Sequence, residues 1–146
     1  MKYQESRLDN LLLALRYAAL GWPVFPAWGV KDGRCLCGGD DCRPGKHPFG
    51  RAVPRGHHDA TTDPDLLRQW FITPFVNVGV NVGKAKALVL DPDAKHGGVE
   101  TLARLEAELG PLPHGPLAVT GGGGRHHWLD AFSDITKNFT LPGGIA

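Results

Sequence analysis

Two carboxylates two residues apart, Asp91 and Asp93, stand at the end of a short apolar run, Ala87-Leu88-Val89-Leu90. Such a run reads as a buried strand. Residues i and i+2 of a strand face the same way, roughly 6.6 Å apart at about 3.3 Å per residue. Acids held like this can share divalent ions roughly 3.5–4 Å apart, the arrangement used in phosphoryl transfer. Pro92 between them cannot donate to a ladder, which puts the pair at a strand end or an edge. A solvated Asp-Pro-Asp turn after a core strand is the plainer alternative, since Asp and Pro favour turns for ordinary reasons.

A second group of chemistry-bearing residues lies upstream. All three cysteines, Cys35, Cys37 and Cys42, fall within eight residues, and His47 follows Cys42 after four intervening residues. Zinc is commonly held by four Cys/His ligands on tight turns, and Gly33, Gly38, Gly39 and Gly45 give the backbone that freedom. The Cys-x-Cys spacing is shorter than in ordinary fingers. The expectation is a structural Zn2+ on Cys35, Cys37, Cys42 and His47, with His57 or His58 as reserve ligands. It would order a loop, residues 33–48, that has too few apolar side chains to fold itself.

A third is Thr120-Gly121-Gly122-Gly123-Gly124-Arg125-His126-His127-Trp128. Consecutive glycines followed by basic residues suit a loop wrapped on phosphates by bare backbone amides. It is not a Walker loop, because no Gly-Lys-Ser/Thr and no helical pattern follow. A flexible hairpin connection fits the same residues.

These groups need elements to carry them. Ser6 can cap a helix whose apolar positions are Leu8, Leu11, Leu12, Leu15, Ala18 and Ala19, with Gly21 as the stop. Trp22 to Pro26 reads as a short strand. Asp63 as cap and Pro64 at the first helical position open a second helix through Leu66, Leu67, Trp70 and Phe71, which Pro74 closes. Asn77 to Gly83 alternates with period two, with its valines on one face. A third helix runs from Gly97-Gly98 to Gly110-Pro111, and Leu117-Ala118-Val119 is a short strand. In the strand after the glycines, His126 and Trp128 share one face while His127 and Leu129 share the other. The order implies an α/β or α+β domain with a mainly antiparallel or mixed sheet.

The totals suit one domain over residues 1–146, with no repeat and no interior linker. Net charge is +1, which excludes a histone-like basic field. Residues 31–58 nevertheless carry six Lys/Arg against three Asp, a modest signal for an anionic ligand. The N-terminus lacks the apolar core of a signal peptide, and the next apolar run is broken by Arg16. With three cysteines and no disulfide framework implied, the expectation is a cytoplasmic protein without a membrane segment.

Taken in order, the residues resemble the N-terminal prim-pol domain of bifunctional DNA primase/polymerases, a branch of the archaeo-eukaryotic primase superfamily found in phages, plasmids and integrated elements. The resemblance is carried by Ala18 to Pro26, the Cys35-x-Cys37…Cys42…Gly45-Lys46-His47-Pro48 loop and Ala60-Thr61-Thr62-Asp63. It continues through Asn77-Val78-Gly79-Val80, Leu90-Asp91-Pro92-Asp93 and Val119 to His126, and so covers nearly the whole chain. It implies a primase-like mixed sheet flanked by helices, with a zinc-binding loop. It also implies a Mg2+- or Mn2+-dependent nucleotidyltransferase that makes and extends primers on a DNA template from nucleoside triphosphates, in replication of a mobile element and often beside a helicase. Asp91 and Asp93 match the family's first metal-binding acids, and His126 matches the histidine on the incoming nucleotide's phosphates. Gly123, Gly124 and Arg125 would complete the nucleotide-binding segment. A third metal-binding acid is implied on a strand further along. The sequence ends at Leu141 to Ala146, about where that strand would begin, and Asp130 and Asp134 stand too close behind His126 to replace it. The expectation is a domain incomplete at its C-terminal end, a fragment or a truncated product, with residues 130–146 poorly ordered or their edge covered by another chain. Two alternatives keep the same residues: a catalytically incomplete zinc-containing nucleotide- or DNA-binding module, and a phosphoesterase using the acid pair for hydrolysis.

Overall fold

Helical spacing of leucines and alanines near the N-terminus produces α1, Lys2–Ala19. It begins before Ser6, so that serine lies within the helix rather than capping it. The end follows expectation: Gly21 takes φ 79°, Gly21 N–H donates to Ala18 O, and Trp22 N–H donates to Tyr17 O. This is the paired closure that a left-handed glycine permits, and Trp22 packs on Tyr17 with ring centroids 5.6 Å apart. The computed structural model describes residues 2–40, 42–73, 75–120, 123–131 and 145, the backbone alone for 2–7. Most of the stretch 130–146, and Pro74, Gly121 and Gly122, lie outside them.

The chain forms two compact units, Met1–Ala85 and Lys86–Ala146. In the first, β1 (Val24–Trp28) pairs antiparallel with β4 (Val76–Val80), Val24 opposite Val80 and Trp28 opposite Val76. The second helix, α2 (Pro64–Phe71), starts as its sequence requires: Asp63 accepts from the amides of Asp65 and Leu66, and Pro64 sits in the first turn. It ends at Phe71. Ala14, Val24, Phe49, Leu67, Phe71 and Val76 make the buried core, with α1 and α2 supplying one side and the β1–β4 pair the other. Gly79 explains its own place in β4. A Cβ there would lie 2.5 Å from the Phe25 ring, so only glycine lets that ring lie across the strand.

Between β1 and α2 the chain makes a hairpin, β2 (Val30–Lys31) with β3 (Arg34–Cys35). Its turn residues, Asp32 at φ 50° and Gly33 at φ 76°, both have the positive φ of the tight turn that Asp-Gly favours. A single-turn 3-10 helix, Gly56–Asp59, follows.

The second unit holds β5 (Ala87–Leu90), α3 (Gly98–Leu109), β6 (Leu117–Val119) and β7 (Arg125–Asp130). The strands form an antiparallel sheet in the order β5-β7-β6. Leu88 lies opposite Leu129 and Leu90 opposite His127. Beyond β5, Pro92 forms a bridge with the buried Ile145. One sheet, mainly antiparallel or mixed, was the expectation. The described residues form three small sheets instead, all antiparallel, because the β2–β3 hairpin closes on itself and the β1–β4 and β5-β7-β6 pairings lie in different units.

Candidate active site and metal centre

The hairpin sets the first cluster. Cys35 ends β3 opposite Val30, and Leu36 N–H donates to Gly29 O, which carries the chain directly into Cys37. His47 returns to the same place because its carbonyl accepts from Trp28 N–H at 3.0 Å, while Phe49 N–H donates to Pro26 O at 2.8 Å. Gly45, at φ 71° with Val30 Cγ2 only 3.1 Å from where a Cβ would be, makes the last bend. As a result the ligand atoms of Cys35, Cys37, Cys42 and His47 all lie within 4.8 Å of one another. Cys35 Sγ is 3.1 Å from His47 Nε2.

Burial opposes ionisation of Cys35. The backbone amides of Cys37 and Gly45 and the thiols of Cys37 and Cys42 outweigh it and bring the pKa down to about 6. Cys42 is pushed up to about 12, first by its hydrogen bond with Cys37, then by burial and by Cys35. One thiol therefore ionises at the expense of its neighbours, as expected of sulfurs that crowd together and need a cation to ionise jointly. Zn–S bonds of about 2.3 Å and Zn–N bonds of about 2.0–2.1 Å place tetrahedral ligands roughly 3.5–3.8 Å apart. Small side-chain rotations cover that difference, so the four residues could hold a metal ion such as zinc. His57 and His58 are not among them; they stack on each other in the 3-10 helix at 4.1 Å.

The second cluster is built by register. Continuing the β5–β7 ladder by one residue beyond Leu90–His127 sets Asp91 opposite His126, and Asp91 Oδ2 lies 3.4 Å from His126 Nε2. Asp91 is about half exposed and His126 about one-third, so both are open to a ligand. Asp93 follows through an extended backbone, φ −72° and ψ 110°, but caps the next turn. Its Oδ1 accepts from Lys95 N–H and its Oδ2 from His96 Nδ1, both at 2.8 Å. Its pKa is lowered, chiefly by His96 and then by the Lys95 amide, against some opposing burial. Strand geometry thus brings Asp91 and His126 together as expected. The residue types did not foretell that Asp93 is already occupied. Asp followed three residues later by a histidine is the signal that could have shown it. The donor set, carboxylate oxygens on an accessible strand end, fits hard divalent cations.

Of the glycine segment, Gly123 and Gly124 are described, and both are tied back to Thr120. Gly123 N–H donates to Thr120 O and Thr120 N–H donates to Gly124 O, both at 2.9 Å. Gly123's amide is therefore engaged with Thr120, and Arg125, two residues on, is exposed. An apolar hollow of about 400 Å³, lined by Leu90, Leu102, Leu105, Leu109, Leu112 and Ile145, lies on the Leu90 face of the sheet. Alternation puts Asp91 and His126 on the other face, so that hollow is not where Asp91 points.

The class of protein follows from the family comparison. The chain matches the N-terminal domain of bifunctional DNA primase/polymerases over residues 14–145 and belongs to that family. No curated protein and no solved structure matches it. It is thus a DNA primase/polymerase domain, which implies binding of DNA and nucleotides. Among the described residues no helix is long and apolar enough to cross a membrane.

Proposed function

We propose that this chain carries the acid-and-histidine centre of a metal-dependent, template-directed nucleotidyltransferase that acts in replication of a phage, plasmid or mobile element. The observation that carries the proposal is the 3.4 Å pairing of Asp91 with His126 at an open strand end, with Asp93 two residues on. Bound Mg2+ or Mn2+ would supply activation of the primer 3′-hydroxyl and neutralisation of the leaving pyrophosphate. The chain's own residues have the positioning roles. Asp91 and Asp93 offer oxygens to the ions, and His126 offers a ring N–H to a phosphate oxygen of the incoming nucleotide. Arg125, Gly123 and Gly124 flank that phosphate. Asp91 Oδ2 and His126 Nε2 lie 3.4 Å apart, so a metal–triphosphate complex at this strand end would be met by both.

The zinc site on Cys35, Cys37, Cys42 and His47 is structural in this proposal, since four protein ligands leave no open position for substrate. Thiols kept ready for a metal suit a reducing cytoplasm. The family match runs through both units and supports counting residues 1–146 as one prim-pol domain, with a helicase as its partner in replication. One observation would favour a binding module instead: each Asp93 oxygen already has one donor, which leaves it one lone pair rather than two for an ion.

Incubation with single-stranded template, dNTPs or NTPs and Mn2+ or Mg2+ tests the proposal. Primer synthesis that is lost in Asp91→Ala, Asp93→Ala and His126→Ala supports it. Nucleotide binding without synthesis, unchanged by those substitutions, supports the binding module.

A further inference from the structure

His96 is three residues beyond Asp93, and its ring makes one of the two contacts that fix that carboxylate. A carboxylate only accepts, so the 2.8 Å contact requires the proton on His96 Nδ1. Lys95 N–H holds the other oxygen, also at 2.8 Å. Donors on both oxygens fix the plane of the carboxylate, and each oxygen keeps a lone pair for a ligand. The backbone is built to keep the histidine there. His96 N–H donates to Asp93 O at 3.1 Å, and Gly98 N–H donates to the same carbonyl at 2.8 Å. Gly97, at φ 75°, makes that return possible before α3 begins. The His96 ring is 72% exposed. With so little packed against it, its bond to Asp93 is the contact that orients it. Asp91, by contrast, has a longer contact, 3.4 Å to His126, and no other is seen among the described residues.

We propose that His96 is a positioning residue for Asp93, holding one carboxylate oxygen by its Nδ1–H so that the remaining lone pairs face a divalent cation. This rests on the proposed role of the acid pair. Outer hydrogen-bond partners of metal ligands orient them, and losing one typically costs about 10–100-fold in metal affinity. Asp93 is then the preset arm of the pair and Asp91 the arm that adjusts to the ion.

Mn2+ binding measured by electron paramagnetic resonance on the whole chain tests it, in the absence of nucleotide. His96→Ala should weaken Mn2+ binding about 10-fold with an unchanged urea midpoint. His96→Asn places an amide N–H near the position of Nδ1 and should restore most of the affinity. Wild-type binding by His96→Ala overturns the proposal. So does equal weakness of His96→Asn and His96→Ala, which would give the role to Nε2. Asp91→Ala and Asp93→Ala run alongside. If both bind Mn2+ like wild type, the acid-pair function fails and His96 with it; if they weaken binding and His96→Ala does not, only the positioning role fails.

Discussion

The two clusters of metal-capable residues are built on opposite principles. In the first unit, four donors from a hairpin and a returning loop converge within 4.8 Å, and backbone bonds to Gly29 at one end and to Pro26 and Trp28 of β1 at the other hold that loop. The set is soft, complete and closed. In the second unit, two carboxylates stand at a strand end, each paired with a histidine. The set is hard, open and incomplete until a ligand arrives. Closed sulfur-rich sites fit structural ions, and open oxygen sites fit ions that must also touch substrate. The surrounding packing differs in the same direction. Val24, Val53 and Leu67 in the first unit are fully buried, whereas every residue of β5 and most of β7 are only half-buried. A rigid scaffold thus carries the closed cluster, and a thinner sheet carries the open one.

The comparison breaks first if the closed cluster has no structural weight. Removing its metal with a chelator, or substituting Cys42→Ser, should destabilise the first unit by several kcal/mol. The loss should stay below the about 10–16 kcal/mol of whole zinc-finger peptides, because this loop is also tied to β1 by backbone bonds. Calorimetry with and without chelator measures it, and an unchanged melting profile would refute the structural role.

Next, Leu67→Ala should cost about 2–5 kcal/mol by urea unfolding, because it opens a cavity in a fully buried site. Asp91→Ala should change stability by no more than about 0.5 kcal/mol, as for other exposed positions, while abolishing primer synthesis. A large stability loss in Asp91→Ala would make that residue part of the scaffold. At the helix cap, Asp63→Ala should cost about 0.5–2 kcal/mol, also read by urea unfolding.

Much of this contrast was legible beforehand. The Asp63-Pro64 helix start, the Gly21 stop and the α3 limits at Gly98 and Gly110 each follow from the local chemistry of a cap, and that chemistry needs no tertiary information. Clustering of Cys35, Cys37, Cys42 and His47 was legible because few other demands bring three thiols into one polar loop. The Asp32-Gly33 turn is equally legible, because Asp-Gly favours a two-residue hairpin connection. The division into three small sheets was not, since pairing of β1 with β4 is a choice among distant partners. The capture of Asp93 by His96 was legible only in part: the spacing of three residues allows it, but the turn also needs Gly97 in a left-handed conformation. At the glycine segment the sequence allowed both a phosphate loop and a hairpin connection. The bond from Gly123 N–H to Thr120 O is compatible with the hairpin connection, and Arg125 and His126 follow it directly in the sequence.

The smallest effect expected is in acid. Asp59 is lowered, first by the Arg55 amide, against burial, and then by the Arg55 side chain; Asp93 is lowered by His96 and Lys95. A carboxylate lowered in the folded state binds fewer protons there than in the unfolded chain. Its contribution is therefore present above the unfolded value of about 3.9 and is lost as pH falls through the folded value. Asp59→Asn should flatten the fall of the urea midpoint below about pH 4. A wild-type slope in that variant would remove Asp59 from the account.

The central claim is that the two clusters bind different ions independently. Zinc content and Mn2+ affinity, measured together on wild type and on the Asp91→Ala/Asp93→Ala double variant, test it most directly. The double variant should keep one zinc per chain and lose its Mn2+ binding. Mn2+ binding equal to wild type in the double variant, or zinc lost along with the acids, would contradict it.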